Sequence, residues 1–160
     1  MTVLTIRQVT SEDADQLALF LEENNRSEIT RYFHPFPLTR ETALSIAATA
    51  HLDRYYVAIQ NDQIVGMFML RGWDEGYSIP SFGVFVDYRC HQKGFGRQLT
   101  EFAIEEARRL GCPSIRLSVY ASNHRAVHLY ESLSFEEVER EQVMLAGQPD
   151  TRIVMLKGIQ

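Results

Sequence analysis

Val86-Asp87-Tyr88-Arg89-Cys90-His91-Gln92-Lys93-Gly94-Phe95-Gly96-Arg97 is the most informative stretch of this 160-residue chain. An apolar run ends at Val86, and two glycines follow. Beyond them Leu99, Phe102, Ala103, Ala107 and Leu110 fall on one helical face. The order is strand, tight turn, helix start. Glycine lets the backbone turn sharply and approach a ligand closely. The first N–H groups of a helix have no internal acceptor, and the helix dipole favours an anion there. Together these features outline a phosphate site, to which Arg89, Lys93 and Arg97 add positive charge. A plain strand-to-helix turn with two glycines is the alternative. A Walker-type loop is excluded because lysine precedes the glycine instead of following it. A dinucleotide fingerprint needs a third glycine where Leu99 stands.

Upstream of this segment, Val3 to Val9 alternates as a first strand. Ser11 then opens a helix with Ala14, Leu17, Ala18 and Leu21 on one face. Arg31 to Pro37 reads as an ordered aromatic loop. Thr39 starts a second helix carrying Ala43, Leu44, Ala47 and Ala50. Tyr55–Gln60 and Gln63–Leu70 are strands joined by Asn61-Asp62, a dipeptide suited to a two-residue hairpin turn. Gly72 to Gly76 makes a further turn, and Tyr77 to Val86 reads as a strand. Gly111 and Pro113 stop the helix after the glycine segment. Ser114 to Val119 follows as a strand, and Asn123 opens a short helix. Glu137–Leu145 and Thr151–Leu156 close the chain as a hairpin around Gly147-Gln148-Pro149-Asp150. The expected fold class is α/β (α+β), with about seven strands and about four helices in one domain over residues 1–160.

The net charge of −5 argues against a nucleic-acid partner, whose phosphates need a basic face. No stretch is apolar for about 18 residues, which argues against a membrane-spanning helix. The N-terminus lacks a signal-peptide pattern. The two cysteines, Cys90 and Cys112, suggest neither a disulfide framework nor a metal pair. The expected location is therefore cytoplasmic, with no membrane partner.

A second constellation is Asn123-His124-Arg125-Ala126-Val127-His128-Leu129-Tyr130-Glu131-Ser132-Leu133-Ser134-Phe135. Asn123 and Tyr130 lie two helical turns apart, roughly on one face. Read alone, they are a capping asparagine and a core tyrosine. His124 and His128 are spaced to share a zinc, but Arg125 replaces the glutamate of a metalloprotease and no third ligand is evident. No metal is expected.

In order, and with a strand between them, the two segments resemble the signature regions of the GNAT N-acetyltransferases. That family's pyrophosphate loop, (Gln/Arg)-x-x-Gly-x-(Gly/Ala), corresponds to His91-Gln92-Lys93-Gly94-Phe95-Gly96. Its later pattern, Asn-x-x-Ala-x-x-x-Tyr-x-x-x-Gly-Phe, is met by Asn123, Ala126, Tyr130 and Phe135. The element order agrees over nearly the whole chain. His91 departs from the usual Gln/Arg, and Ser134 from the usual glycine. The resemblance implies a single GNAT-like domain with a mixed, mostly antiparallel sheet. It also implies acetyl-CoA as acyl donor, held by His91 through Arg97 and by Asn123.

The implied reaction is direct acetyl transfer to a primary amine in a ternary complex. An alkyl ammonium titrates near ~10, so a proton must be removed before attack. Backbone around Phe85 and Val86 is expected to meet the oxyanion, and Tyr130 matches the family's general acid. Asp74 and Glu75 are the nearest acidic candidates for the base. His34, Tyr32 and Trp73 are expected at the acceptor. A small-molecule amine (an amino sugar or amino acid derivative) is the leading acceptor, with a protein lysine or chain terminus as the alternative. A non-catalytic acyl-CoA-binding module is the reading from another class. The resemblance is compatible with a homodimer.

Overall fold

The structure is a computed structural model that describes residues 3–48 and 51–159. Seven strands form one sheet: β1 (Thr5–Gln8), β2 (Arg54–Gln60), β3 (Gln63–Arg71), β4 (Ser81–Val86), β5 (Ser114–Tyr120), β6 (Glu136–Leu145) and β7 (Gln148–Gly158). Their order across the sheet is β1-β2-β3-β4-β5-β7-β6. Among the described residues, only β4 and β5 run parallel. The helices are α1 (Ala14–Glu23), α2 (Ser27–Thr30), α3 (Arg40–Ala48), α4 (Phe95–Arg109) and α5 (His124–Ser132). Ala50, placed on the second helix from sequence, lies outside the described residues.

The alternation of each central strand sends side chains to two cores. Phe68, Leu70, Phe82, Leu117 and Ile115 face α4, whose Leu99, Ala103 and Ala107 are fully buried. Val57, Met67, Met69 and Phe85 face α1 and α3, where Leu17, Leu21 and Ala43 are fully buried. A sheet covered on both faces explains the nearly continuous apolar run of β3. Arg7 and Asp13 fix the start of α1 against β1 through two 2.8 Å bonds, and Asp13 also accepts from the Thr10 N–H at 2.7 Å.

Asn61 and Asp62 both take positive φ (51° and 63°), as the hairpin reading requires. Three boundaries differ from expectation. A one-turn helix, α2, precedes the aromatic loop. β4 begins at Ser81 instead of Tyr77, because the segment before it turns through Ser78 to Pro80. The last hairpin turns at Ala146-Gly147, both at positive φ, so β7 already begins at Gln148.

The parallel contact matters most for function. β4 and β5 pair only at Ser81↔Arg116 and Phe82↔Leu117, whereas β5 and β7 pair over seven residues. Beyond Phe82 the two strands diverge and leave a gap in the middle of the sheet.

Candidate active site

The gap between β4 and β5 opens into a cavity of about 780 Å³. Hydrogen bonding at the strand ends shows which backbone groups face it. Asp87 N–H donates to Val65 O on the β3 side. Arg116 N–H donates to Pro80 O on the β5 side. Backbone polar groups alternate sides along an extended strand. Val84 and Val86 therefore turn their N–H and C=O toward the gap, and Phe85 turns its own toward β3. Of the two positions expected to supply an oxyanion donor, Val86 presents its N–H and Phe85 does not. Val84 joins it. Phe85 instead contributes its ring, stacked on Phe20 of α1 at 5.0 Å and tilted against Phe33 at 4.7 Å.

At one end of the cavity lies the glycine segment. His91, Gln92, Gly94, Phe95, Gly96 and Arg97 line it. Gln92 and Gly94 take positive φ (67° and 78°), and Gly94 is the N-terminal cap of α4. A Cβ built at Gly94 or Gly96 would meet nothing within 4 Å, so the side facing the cavity is open. Among the described residues, no backbone N–H from His91 to Arg97 bonds to another backbone group. A run of free N–H groups at the start of a 15-residue helix fits a pyrophosphate. Arg97 lines this end and donates to Ser132 Oγ at 2.6 Å. Lys93 is exposed outside the cavity wall.

Arg89 does not serve the phosphate as the sequence suggested. Its Nε and Nη2 bind Asp87 at 2.9 and 3.0 Å, and Nη2 also reaches Glu23 at 3.2 Å. Asp87 is buried and accepts the Arg89 N–H at 2.9 Å and Asn24 Nδ2 at 3.2 Å as well. Burial alone would raise the Asp87 carboxyl, but its bonds to Arg89 and Asn24 outweigh that and hold it below the usual carboxylate range. Asn24, fully buried at the end of α1, completes the lock by accepting from Tyr88 N–H at 2.9 Å. The entry to the glycine segment is thus tied to α1.

Tyr130 of α5 lines the cavity between the two ends. Its ring packs edge-on against Phe82 and Phe135, at 6.4 and 5.8 Å. Burial pushes its phenol well above the ordinary value, so it stays protonated at neutral pH. Asn123 begins α5 through its carbonyl, which accepts Val127 N–H at 3.0 Å. Its side chain makes no cap bond, and the residue lines the cavity.

The other end is aromatic. Tyr32, His34 and Tyr120 line it together. His34 Nδ1 lies 2.9 Å from Tyr120 Oη, and Tyr32 Oη lies 3.0 Å from Ser122 Oγ. Ser122 Oγ donates in turn to Asp150. Tyr120, Ser122 and Asp150 are not singled out by the sequence, where the nearest signal is the alternation of Ser114 to Val119. Trp73, Asp74 and Glu75 do not line the cavity. Asp74 accepts the N–H groups of Leu52 (2.9 Å) and Asp53 (3.3 Å), bonds that hold its carboxyl low and occupy it. Glu75 is exposed on the same turn, and Trp73 packs against the α4 core. The physical reason is that this turn precedes β4 and is tied to Asp53 beside the start of β2, at the opposite end of β4 from the gap.

The family model described as "Acetyltransferase (GNAT) family" matches residues 17–135. A [ribosomal protein bS18]-alanine N-acetyltransferase from Escherichia coli is 31% identical over 104 residues, 65% of this chain and 68% of that protein. A mycothiol acetyltransferase from Jonesia denitrificans is 33% identical over 90 residues, 56% of this chain but only 29% of that one. Among solved structures, an acetyltransferase from Salmonella typhimurium with its cofactor acetyl-CoA superposes with a TM-score of 0.80. That match is 20% identical and covers 98% of this chain and 94% of the other. No helix among the described residues is long and apolar enough to cross a membrane. With the gap, the glycine segment and Tyr130 in one cavity, the chain belongs to the GNAT acetyltransferase family and is an acyl-CoA-dependent N-acetyltransferase.

Proposed function

We propose that the chain transfers an acetyl group from acetyl-CoA to the primary amine of a small molecule such as an amino sugar or amino acid derivative. The observation that carries this reading is the acceptor end of the cavity. It is walled by Tyr32, His34 and Tyr120 rings, and Glu28 is the only carboxylate among the described lining residues. Arg26 Nε already donates to Glu28 at 3.2 Å. A basic peptide would find little negative charge there, whereas a sugar or ring stacks on aromatic faces. The mycothiol acetyltransferase relative supports a small-molecule acceptor. A chain terminus is the second reading, favoured by the relatives named for bS18 alanine. We place the reaction in the cytoplasm.

Acetyl-CoA supplies an activated thioester carbonyl. The open N–H groups of 91–97 would hold its pyrophosphate, with Arg97 adding charge and Asn123 lining the path to the gap. The N–H groups of Val84 and Val86 face the space where negative charge develops on the carbonyl oxygen. Tyr130, kept protonated by burial, donates to the departing sulfur. Direct transfer asks for both substrates in the cavity at once, and the cavity joins the glycine segment and the aromatic end continuously.

The test is release of CoA thiol across two panels under identical conditions, one of amino sugars and amino acid derivatives, the other of peptides with free N-termini or lysines. Turnover on the first panel with the second silent is the expected result. Efficient turnover on peptides alone would move the assignment to the second reading.

A further inference from the structure

We infer that Tyr120 and His34 form a proton-accepting dyad that deprotonates the acceptor ammonium, so that neither Asp74 nor Glu75 is needed. The inference rests on the amine-acceptor reading above and supplies the base that reading lacks. The parallel register, Ser81↔Arg116 and Phe82↔Leu117, continued along both strands puts Tyr120 level with Phe85. Tyr120 therefore stands across the gap from Val84 and Val86, whose N–H groups face the reacting carbonyl. Leu117 and Val119 are buried toward α4, so Tyr120 projects to the opposite face, where His34 meets it. The 2.9 Å contact and the edge-on rings (5.5 Å, 63°) make a direct relay. Tyr120 is half-buried and lines the cavity, whereas His34 is exposed. The inner group meets the substrate and the outer group meets water.

The step balances. An N–H bond of the ammonium breaks, and its electron pair stays on nitrogen as the nucleophilic lone pair. Tyr120 Oη takes that proton while its own passes to His34 Nδ1. His34 becomes an imidazolium and then releases its Nε2 proton to water. The tyrosine is neutral before and after, so its burial-raised phenol is no obstacle, since no free phenolate is formed. An imidazole suits the outer position because one ring nitrogen can accept a proton while the other releases one.

Among the described residues, several charged groups packed near the dyad have partners of their own, while His91, Arg97, Arg125 and His128 line other parts of the cavity. Arg71 of β3 donates to Pro35 O at 3.0 Å, beside His34. Arg31 lies over the Tyr32 ring at 5.4 Å. From β7, Arg152 is paired with Glu141 at 2.9 Å and donates to Ser118 Oγ, and Asp150 accepts from Ser122. Glu28 is bonded to Arg26.

The experiment measures kcat/KM against pH for the wild type, His34→Gln and Tyr120→Phe, using the best amine found in the acceptor panel. Acetyl-CoA affinity by calorimetry serves as the control for folding. In the wild type kcat/KM should level off well below the amine's own value, because the enzyme itself deprotonates bound ammonium. In both variants it should instead keep rising tenfold per pH unit toward the amine's own value near ~10. At neutral pH the loss should be roughly 10²–10⁴-fold, with acetyl-CoA affinity retained. Added imidazole should restore part of the rate to His34→Ala. Profiles scaled down without a change of shape would overturn the dyad and leave His34 and Tyr120 as structural residues. A wild type that turns over no amine would instead overturn the acceptor reading itself.

Discussion

Replacing Asp87 with Asn keeps the size of a buried side chain and removes only its charge. Every partner of the Asp87 carboxylate is a donor: Arg89 N, Nε and Nη2, and Asn24 Nδ2. An amide nitrogen at this position must therefore face one of them. Asn24 cannot flip to compensate, because its Oδ1 already accepts Tyr88 N–H and its Nδ2 already donates to Phe20 O. Hydrogen bonds to charged groups contribute about 1.5–3 kcal/mol each, and they are not additive. Arg89 is half-exposed and recovers water, so the expected cost of Asp87→Asn is roughly 2–3 kcal/mol in all. For a chain of this size that lowers Tm by roughly 4–12 °C. The pH dependence gives a sharper signature. The folded carboxyl lies below its unfolded value of ~3.9, so its stabilisation is complete above that value and fades as pH falls through the folded one. Urea denaturation should show a constant gap between wild type and variant from pH 8 to about 5, closing toward acid. Because Asp87 anchors the entry to the glycine segment, acetyl-CoA affinity should also fall, by roughly tenfold (1.4 kcal/mol). A gap that persists unchanged into acid, or unaltered acetyl-CoA affinity, would refute the reasoning.

Three further substitutions test separate parts of the site. Tyr130→Phe should leave acetyl-CoA affinity intact and lower kcat by roughly 10²-fold; a kcat unchanged across pH would remove Tyr130 from the mechanism. A Cβ at Gly96 meets no atom within 4 Å and Gly96→Glu adds an acidic residue to the first turn of α4, so Tm should hold or rise slightly. Its bulk and charge should still abolish acetyl-CoA binding by calorimetry, and undiminished binding would sink the pyrophosphate assignment. Ser134→Gly relieves a left-handed residue (φ 69°) just after α5. The relief of about 1–2 kcal/mol, less about 0.5–1 kcal/mol of glycine entropy, should raise Tm by a few degrees in thermal denaturation.

Much of the fold was legible because local signals agreed with one another. Alternation marked the strands, Asn61-Asp62 forced its turn, and Gly111 with Pro113 stopped α4. Local chemistry also misled in places. Tyr77 and Ile79 are strand-like, and Pro80, which interrupts a strand or marks its start, is the one local signal that β4 begins after it. Ser27–Thr30 forms a helix of one turn, too short for any periodicity to register. Gly147 was read as the first residue of a four-residue turn, but the two-residue turn uses Ala146 with it and leaves Pro149 inside β7.

The site divides along the same line. The glycine segment's open backbone could be read because glycine advertises such geometry. Tyr130 could be read because a motif carries it. Charge assignments failed wherever another group of the fold had a stronger claim. Asp74 lay on an exposed turn and looked free, yet the N–H groups of Leu52 and Asp53 occupy it from 22 and 21 residues away. Arg89 looked available to a phosphate, yet it is held by Asp87 two residues back and Glu23 sixty-six residues back. Tyr120 was harder still. Its side chain faces the aromatic loop because Leu117 and Val119 alternate toward α4, and its partner His34 is eighty-six residues upstream. A sequence shows which groups are able to ionise, but which of them stay free to move a proton is decided by pairings that only the fold creates. That is why carboxylates stand out in the sequence as bases, whereas an imidazole and a phenol 2.9 Å apart on one face of the sheet do not.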